Sequence, residues 1–290
     1  MDFANLKTFI SVAEHGSFSA ASEMLYLTQP AISKRIAALE QELDVELFDR
    51  IGRHVTLTEA GKALLPRAQK ILLEVEDSRR AIKNLSEEVS GLLSIGTSHH
   101  IGLHRLPPVL RAFTRDYPEV ELDIHFMDSE EACRAVEHGE LEMGIVTLPL
   151  QRSAKLKTRL IWPDPMSVIV GKAHPLYKSK QLSLKQLAEH KAVLPARGTF
   201  TREIIEQAFD QQNIEVNISL SSNYLETIKM LVSVGLGWSV LPDSMLDKDI
   251  RAIPIQGLKL KRELGIVTHS ARTLSNAAQV MQHILQSHIT

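Results

Sequence analysis

The chain has 290 residues, 44% of them hydrophobic and 23% charged, with a net charge of −2 and one cysteine. That length and composition suit two or three globular domains. One cysteine excludes a disulfide scaffold, and no apolar run is long enough to span a membrane. The first residues carry Asp2, Lys7 and Glu14 where a secretory leader would be basic and then apolar, so the expected location is the cytoplasm.

Leu6, Phe9, Ile10 and Ala13 follow the 3, 4, 7 spacing of a helix with one buried face, which Gly16 should end. Ser17 or Ser19 can cap a second helix carrying Ala20, Ala21 and Leu25 inward, and Thr28 a third with Pro30 in its first turn. Ala31, Ile32, Ile36, Leu39 and Leu43 form the apolar stripe of that third helix. Gln29, Ser33, Lys34 and Arg35 lie off it, and these side-chain types read base edges and hold phosphates in a major groove. Residues 45–50 and 52–57 predict a two-stranded wing presenting Arg50, Arg53 and His54, before a helix capped by Thr58. Residues 1–60 hold five Lys or Arg against nine Asp or Glu. Nucleic-acid binding must therefore rest on local placement, and should weaken steeply with salt.

In the helix after Thr58, Leu64, Ala68, Ile71, Val75, Ser78, Ile82 and Leu85 alternate steps of four and three, a heptad seam suited to dimerisation. The alternative is a long helix packed on its own domain. Two recognition helices joined by the seam would read half-sites about one helical turn apart, an interrupted inverted repeat.

From residue 91 onward strands and helices alternate, which indicates an α/β architecture with largely parallel sheets. Strands are expected at 92–96, 120–126, 143–147, 166–171, 192–196, 216–221, 238–241 and 263–268. Helices are expected at 103–117 (interrupted by Pro107 and Pro108), 129–138, 201–211 and 225–234, with a last one ending near 287; residues 151–163 read as a looser stretch. Two segments sit where a strand hands over to a helix and offer hydroxyls and free N–H groups to an anion: Thr97-Ser98-His99-His100, and 197–202 with Gly198, Thr199, Phe200 and Thr201.

His99, His100 and His104 invite a metal reading. No cysteine or carboxylate is interleaved and Pro107 follows closely, so no metal site and no cofactor are expected; the pair at 99–100 could instead make ligand binding pH-dependent. Cys133 cannot form an internal disulfide and sits in a helical pattern as a small buried hydrophobe. An enzyme is disfavoured: there is no Gly-x-Ser-x-Gly elbow, no dinucleotide fingerprint and no phosphate loop. An architectural DNA binder without a ligand, and an intracellular solute-binding protein, remain as alternatives.

The order of helices, wing and capped long helix in residues 3–66 resembles the LysR-type transcriptional regulators, and the resemblance extends over the whole chain. It implies a winged helix-turn-helix at 1–58, a linker helix at 59–88 and a two-lobed, periplasmic-binding-protein-like effector domain at 91–290. Lobe I would comprise 91–161 and 268–290, and lobe II 162–267. It implies DNA contacts at Gln29, Pro30, Ser33, Lys34 and Arg53, and Ser19, Thr28, Arg35 and Arg50 on the same helices and wing are expected to join them. Arg53 would enter the minor groove, and Lys34 stands where the family often has arginine. It further implies effector contacts at Ser98, His99, Thr147, Thr199, Phe200, Asn223, Glu226 and Thr227. A homotetramer that bends promoter DNA, and RNA polymerase as a further partner, are implied as well.

Overall fold

The computed structural model describes residues 1–51, 54–86 and 88–288, and divides into two compact units, Met1–Ser86 and Glu87–Thr290.

In the first unit, α1 (Phe3–His15) ends on Gly16 at φ +58°, the left-handed conformation in which glycine has no Cβ to clash. Ser17, not Ser19, caps α2 (Phe18–Met24), and Thr28 caps α3 (Gln29–Leu43), each accepting a hydrogen bond from a backbone N–H three residues on. Ile32, Ile36 and Leu39 of α3 are fully buried against Leu6, Phe9, Val12, Phe18 and Ala21. Phe48 brings the wing into this core, its ring 5.3 Å from that of Phe9 and 5.9 Å from that of Phe18. The wing is an antiparallel pair, β1 (Phe48–Ile51) and β2 (His54–Leu57). Thr58 then caps α4 (Glu59–Lys83), whose Gly61 lies so close to the chain before β1 that a Cβ there would sit 2.2 Å from the Leu47 carbonyl oxygen.

The seam expected along α4 is divided. Leu64, Ala68 and Ile71 pack into the core of their own unit, so this part of the seam takes the alternative role, because α1 already presents an apolar face to cover it. Val75, Ile82 and Leu85 take no part in that cluster, and Ile82 and Leu85 are 70% and 84% exposed.

The second unit centres on a seven-stranded sheet containing β3 (Gly91–Thr97), β4 (Val120–Phe126), β5 (Met143–Thr147), β6 (Leu156–Gly171), β9 (Ser239–Pro242), β10 (Ile250–Ala252) and β11 (Leu260–His269). Strands β7 (Ala192–Leu194) and β8 (Ile218–Ser221) form a separate parallel pair. The expectation of largely parallel sheets is corrected. Only β3–β4 and β3–β5 are parallel within the main sheet, whereas β6 pairs antiparallel with β9, β10 and β11, and β11 with β5. The cause is β6, which runs through most of the segment read as loose and pairs along ten residues with the returning β11. The helix expected at 103–117 is also corrected. It is two helices, α5 (His99–His104) and α6 (Leu106–Asp116), broken at Arg105; the prolines lie in the first turn of α6, where a missing N–H costs nothing.

Two large cores flank the crossing strands. Leu93, Ile95, Phe113, Met143, Ile161, Trp162, Leu264 and Ile266 belong to one, and Met166, Val168, Ile205, Phe209, Trp238 and Val240 to the other. The chain therefore passes between lobes at 163–165 and again at 261–263, the second several residues before the expected boundary, because Leu264 and Ile266 are already packed in lobe I. The helices placed around the lobes include α7 (Ser129–His138) and α11 (Asn276–Ser287) in lobe I, and α8 (Leu184–Ala188), α9 (Phe200–Asp210) and α10 (Leu225–Ser233) in lobe II. Among the described residues, no helix is long and apolar enough to cross a membrane.

Candidate DNA-reading surface and effector cleft

The N-terminal turn of α3 presents Thr28, Gln29, Pro30 and Lys34 as exposed residues with Ser33 half-buried, because the buried stripe Ile32, Ile36, Leu39 fixes the opposite face inward. Ser19 is exposed on α2. Arg35 departs from the expected pattern. It is half-buried, and its Nη1 donates to Thr8 Oγ1 at 3.4 Å, which ties it to α1. Arg50 belongs to β1, but its side chain and the whole of Arg53 lie outside the described residues. Sequence reasoning misses one residue: Tyr26, in the turn between α2 and α3, is 96% exposed with φ +52°. A bulky residue is uncommon in the left-handed region, and neither that conformation nor the exposure is legible in the sequence.

In the second unit a cavity of about 260 Å³ opens between the lobes. Ser98, His99 and His100 line it from the start of α5, Asp128 to Glu131 from the start of α7, Thr147 from β5, Thr199 and Thr201 from the start of α9, Asn223 to Leu225 from the start of α10, and Arg262 from β11. Of the expected effector residues, the cleft thus gathers Ser98, His99, His100, Thr147, Thr199, Thr201 and Asn223. Thr97 is fully buried and donates to the Ile145 carbonyl at 2.8 Å, fastening β3 to β5, so it does not line the cleft. Gly198, at φ +84°, serves the turn before α9, and Phe200, Glu226 and Thr227 also lie outside the lining. Sequence reasoning misses Asp128, Ser129, Glu130 and Glu131, although they too stand between a strand and a helix. Arg262 lies inside an alternating strand, where nothing in the pattern marks it.

The helix N-terminus expected to hold a ligand carboxylate in lobe II is already occupied by one. Glu130 of lobe I accepts a hydrogen bond from the Phe200 backbone N–H. Burial raises the pKa of Glu130, the Phe200 N–H opposes that, and the Asp128 and Glu203 charges reinforce it. Asn223 forms a second tie: its Oδ1 accepts from the Ala196 N–H at 3.1 Å, and its Nδ2 donates to Asp128 at 2.6 Å. Thr199 caps α9 by accepting from the Arg202 N–H, and Ser129 accepts from the Thr147 N–H at 3.0 Å.

Arg262 and Asp164 are directly paired in the register of β6 and β11, and Arg262 Nε donates to Asp164 Oδ2 at 2.7 Å. Arg262 Nη1 reaches Thr201 Oγ1 at 3.4 Å, and Arg105 reaches Asp164 at 3.4 Å. Burial pulls the Arg262 pKa down while Asp164 works to restore it. Its Nη2 is buried without a hydrogen-bond partner. Glu226 joins the lobes from the other side, with Oε1 3.3 Å from His100 Nδ1 and 3.0 Å from His104 Nε2. Burial, with Arg262 and His104 nearby, pushes the His100 pKa down to about 4. Burial acts against the charge of Glu226, but its own backbone N–H and the two imidazoles outweigh it and hold the carboxyl below its ordinary value.

Residues 86–290 match the family model described as the LysR substrate binding domain, and residues 3–62 that of the bacterial regulatory helix-turn-helix protein, lysR family. The chain belongs to the LysR family of transcriptional regulators. Among LysR-family relatives, a "Probable RuBisCO transcriptional regulator" of Trichormus variabilis is 30% identical over 98% of this chain and 88% of its own. A full-length OxyR variant from Pseudomonas aeruginosa superposes with a TM-score of 0.72 at 25% identity, over 99% of this chain and 95% of that one. Full-length CbnR complexed with its target DNA superposes at 0.62 and 25% identity, over 99% of each chain. This LysR-type chain is therefore a transcriptional regulator, not an enzyme, with an N-terminal DNA-binding helix-turn-helix and a C-terminal effector-binding α/β domain. The fold expected from sequence is the fold of the family. Cys133 is buried, and burial with the Glu130 and Glu137 charges pushes its thiol pKa up to about 12, which leaves no reactive thiolate at neutral pH.

Proposed function

We propose that this regulator reads a specific DNA site through Tyr26, Gln29, Pro30, Ser33 and Lys34, and that a small metabolite held in the inter-lobe cleft controls it. The observation that carries the reading is the split of α3 into a fully buried apolar face and an exposed polar N-terminal turn. Residues 1–58 form the DNA-binding domain, 59–88 the linker and 91–290 the effector domain. The exposed Ile82 at the end of α4, and the exposed Leu85 just beyond it, support pairing with a second copy. Two paired copies read an interrupted inverted repeat, and two such dimers make a tetramer that bends promoter DNA and acts on RNA polymerase in the cytoplasm.

The ligand carries an anionic group for Arg262, whose Nη2 lacks a partner, and donors for the carboxylates of Asp128, Glu130 and Glu131 on the facing wall. The hydroxyls of Ser98, Ser129, Thr199 and Thr201 can serve either kind of group. Binding shifts the regulator only as far as the ligand prefers one lobe arrangement over the other.

Selection of genomic fragments by the full-length protein tests the DNA reading. Recovery of promoters sharing an interrupted inverted repeat, lost with Ser33→Ala/Lys34→Ala, supports it; equal enrichment by protein and variant refutes it. Promoters recovered this way point to candidate metabolites for the cleft.

A further inference from the structure

We infer that His100 and His104 of α5 and Glu226 of α10 form a binding site for a divalent transition-metal ion that fastens lobe I to lobe II. The two imidazoles lie four residues apart, one helical turn, with ring centroids separated by 4.6 Å. Glu226 comes from the opposite lobe, 122 residues beyond His104. One donor atom from each of the three residues lies within 4.8 Å of the others, and the Glu226 Oε1 distances are 3.3 and 3.0 Å. A tetrahedral ion with ligands at about 2.0–2.1 Å needs donors about 3.3 Å apart, so small side-chain movements close the geometry. His99 Nδ1, 3.9 Å from Glu226 Oε2, stands near enough to supply a fourth ligand.

The second observation concerns the remaining atoms of the two buried groups, since Glu226 Oε1 pairs with both imidazoles but the other oxygen and the other nitrogen do not pair. Glu226 Oε2 and His100 Nε2 are both buried with no hydrogen-bond partner. An uncompensated buried carboxylate oxygen costs free energy unless something cationic or a donor reaches it. His104 is exposed and opens the site to solvent, which gives an ion its route in. Arg262, the fixed cation that also acts on His100, carries its own counter-charge in Asp164. Two imidazole nitrogens and one carboxylate oxygen favour Zn²⁺, Ni²⁺ or Cu²⁺ over Mg²⁺ or Ca²⁺, which take all-oxygen sets. His104 and Glu226 lie outside the lining of the ligand cleft whereas His100 lines it, so the metal site adjoins the metabolite site and shares that residue with it.

The test is titration of the full-length, tag-free, chelator-treated protein with Zn²⁺ by calorimetry, and with Co²⁺ by visible absorption. The expected result is one ion per chain with the absorption of tetrahedral nitrogen and oxygen ligation. Even outer-shell partners of a metal site contribute about 10- to 100-fold to affinity, so His104→Ala and Glu226→Gln should each weaken binding at least about 100-fold. His104 is exposed, so its loss leaves folding intact, and His125→Ala, an exposed histidine paired with Asp123, should bind as the parent does. No Zn²⁺ uptake by the parent protein, or uptake undiminished in both variants, would overturn the assignment. Either outcome leaves the fragment selection untouched.

Discussion

Replacing Asp164 with asparagine tests whether the buried ion pair between the crossing strands holds the lobes in register. Asp164 and Arg262 are 1% and 4% exposed, with Nε and Oδ2 2.7 Å apart. Asparagine keeps the shape and one acceptor oxygen but removes the carboxylate paired directly with the buried guanidinium, leaving it only the more distant charge of Glu226. Breaking a buried pair from one side costs about 3–5 kcal/mol, and the retained acceptor puts this case near about 3 kcal/mol. For a domain of this size that is a fall in Tm of about 6–12 °C. Asp164→Asn/Arg262→Met removes both charges and should return to within about 1 kcal/mol of the parent, because the desolvation penalty disappears with the attraction. Urea unfolding followed by tryptophan emission is the assay. The chain has two tryptophans, and Trp162 and Trp238 both lie in the α/β unit, so the signal excludes the DNA-binding unit. A single-variant loss below about 1 kcal/mol, or a double variant no better than the single, would refute the reasoning.

Lys34→Ala should lower the slope of log K against log salt by about one per chain on specific DNA, while Arg35→Ala, tied to Thr8, should change that slope little and the melting of the unit more; filter binding across a salt series separates them. Tyr26→Ala should weaken specific DNA binding with unchanged helix content by circular dichroism, since the ring is almost wholly exposed. Glu130→Gln should make the α/β unit at least as stable as the parent at pH 7. The pKa of Glu130 is raised in the folded state, so its ionised form opposes folding above that pKa and the opposition is lifted as pH falls through it. The advantage of the glutamine variant should therefore shrink on acidification, and an advantage that grows would contradict the assignment. Thr97→Val should cost stability without altering ligand response, because its hydroxyl serves the Ile145 carbonyl.

What the sequence reveals about this chain follows the distance over which each interaction acts. Gly16, Thr28, Pro30 and Thr58 are readable because a cap or a first-turn proline is decided within three or four residues, and all four stand where that chemistry puts them. The break at Arg105 is misread as lying at the prolines, since proline opens a helix as readily as it interrupts one. The antiparallel partnership of β6 with β11 joins segments about a hundred residues apart, and residues 156–163 carry no local sign of it. The cleft is half legible. Hydroxyls at strand-to-helix junctions mark Ser98 and Thr199, Thr147 at the end of β5 is reached only through the family resemblance, and Arg262 and the approach of Glu226 to two histidines exist only after the lobes meet.

The two long strands that carry the chain from lobe to lobe are also hydrogen-bonded to each other, with a bulge between Leu264 and Gly265 directly beyond the Asp164–Arg262 pair. A pair of separate tethers would let the lobes swing apart, slide and rotate independently. A bonded ribbon behaves as a leaf spring: it bends and twists readily but resists shear, because sliding one strand past the other would break every rung. Opening of the cleft is thereby confined to a narrow set of motions, and strain set up on one wall is delivered to the far lobe as torque with little lost to slack.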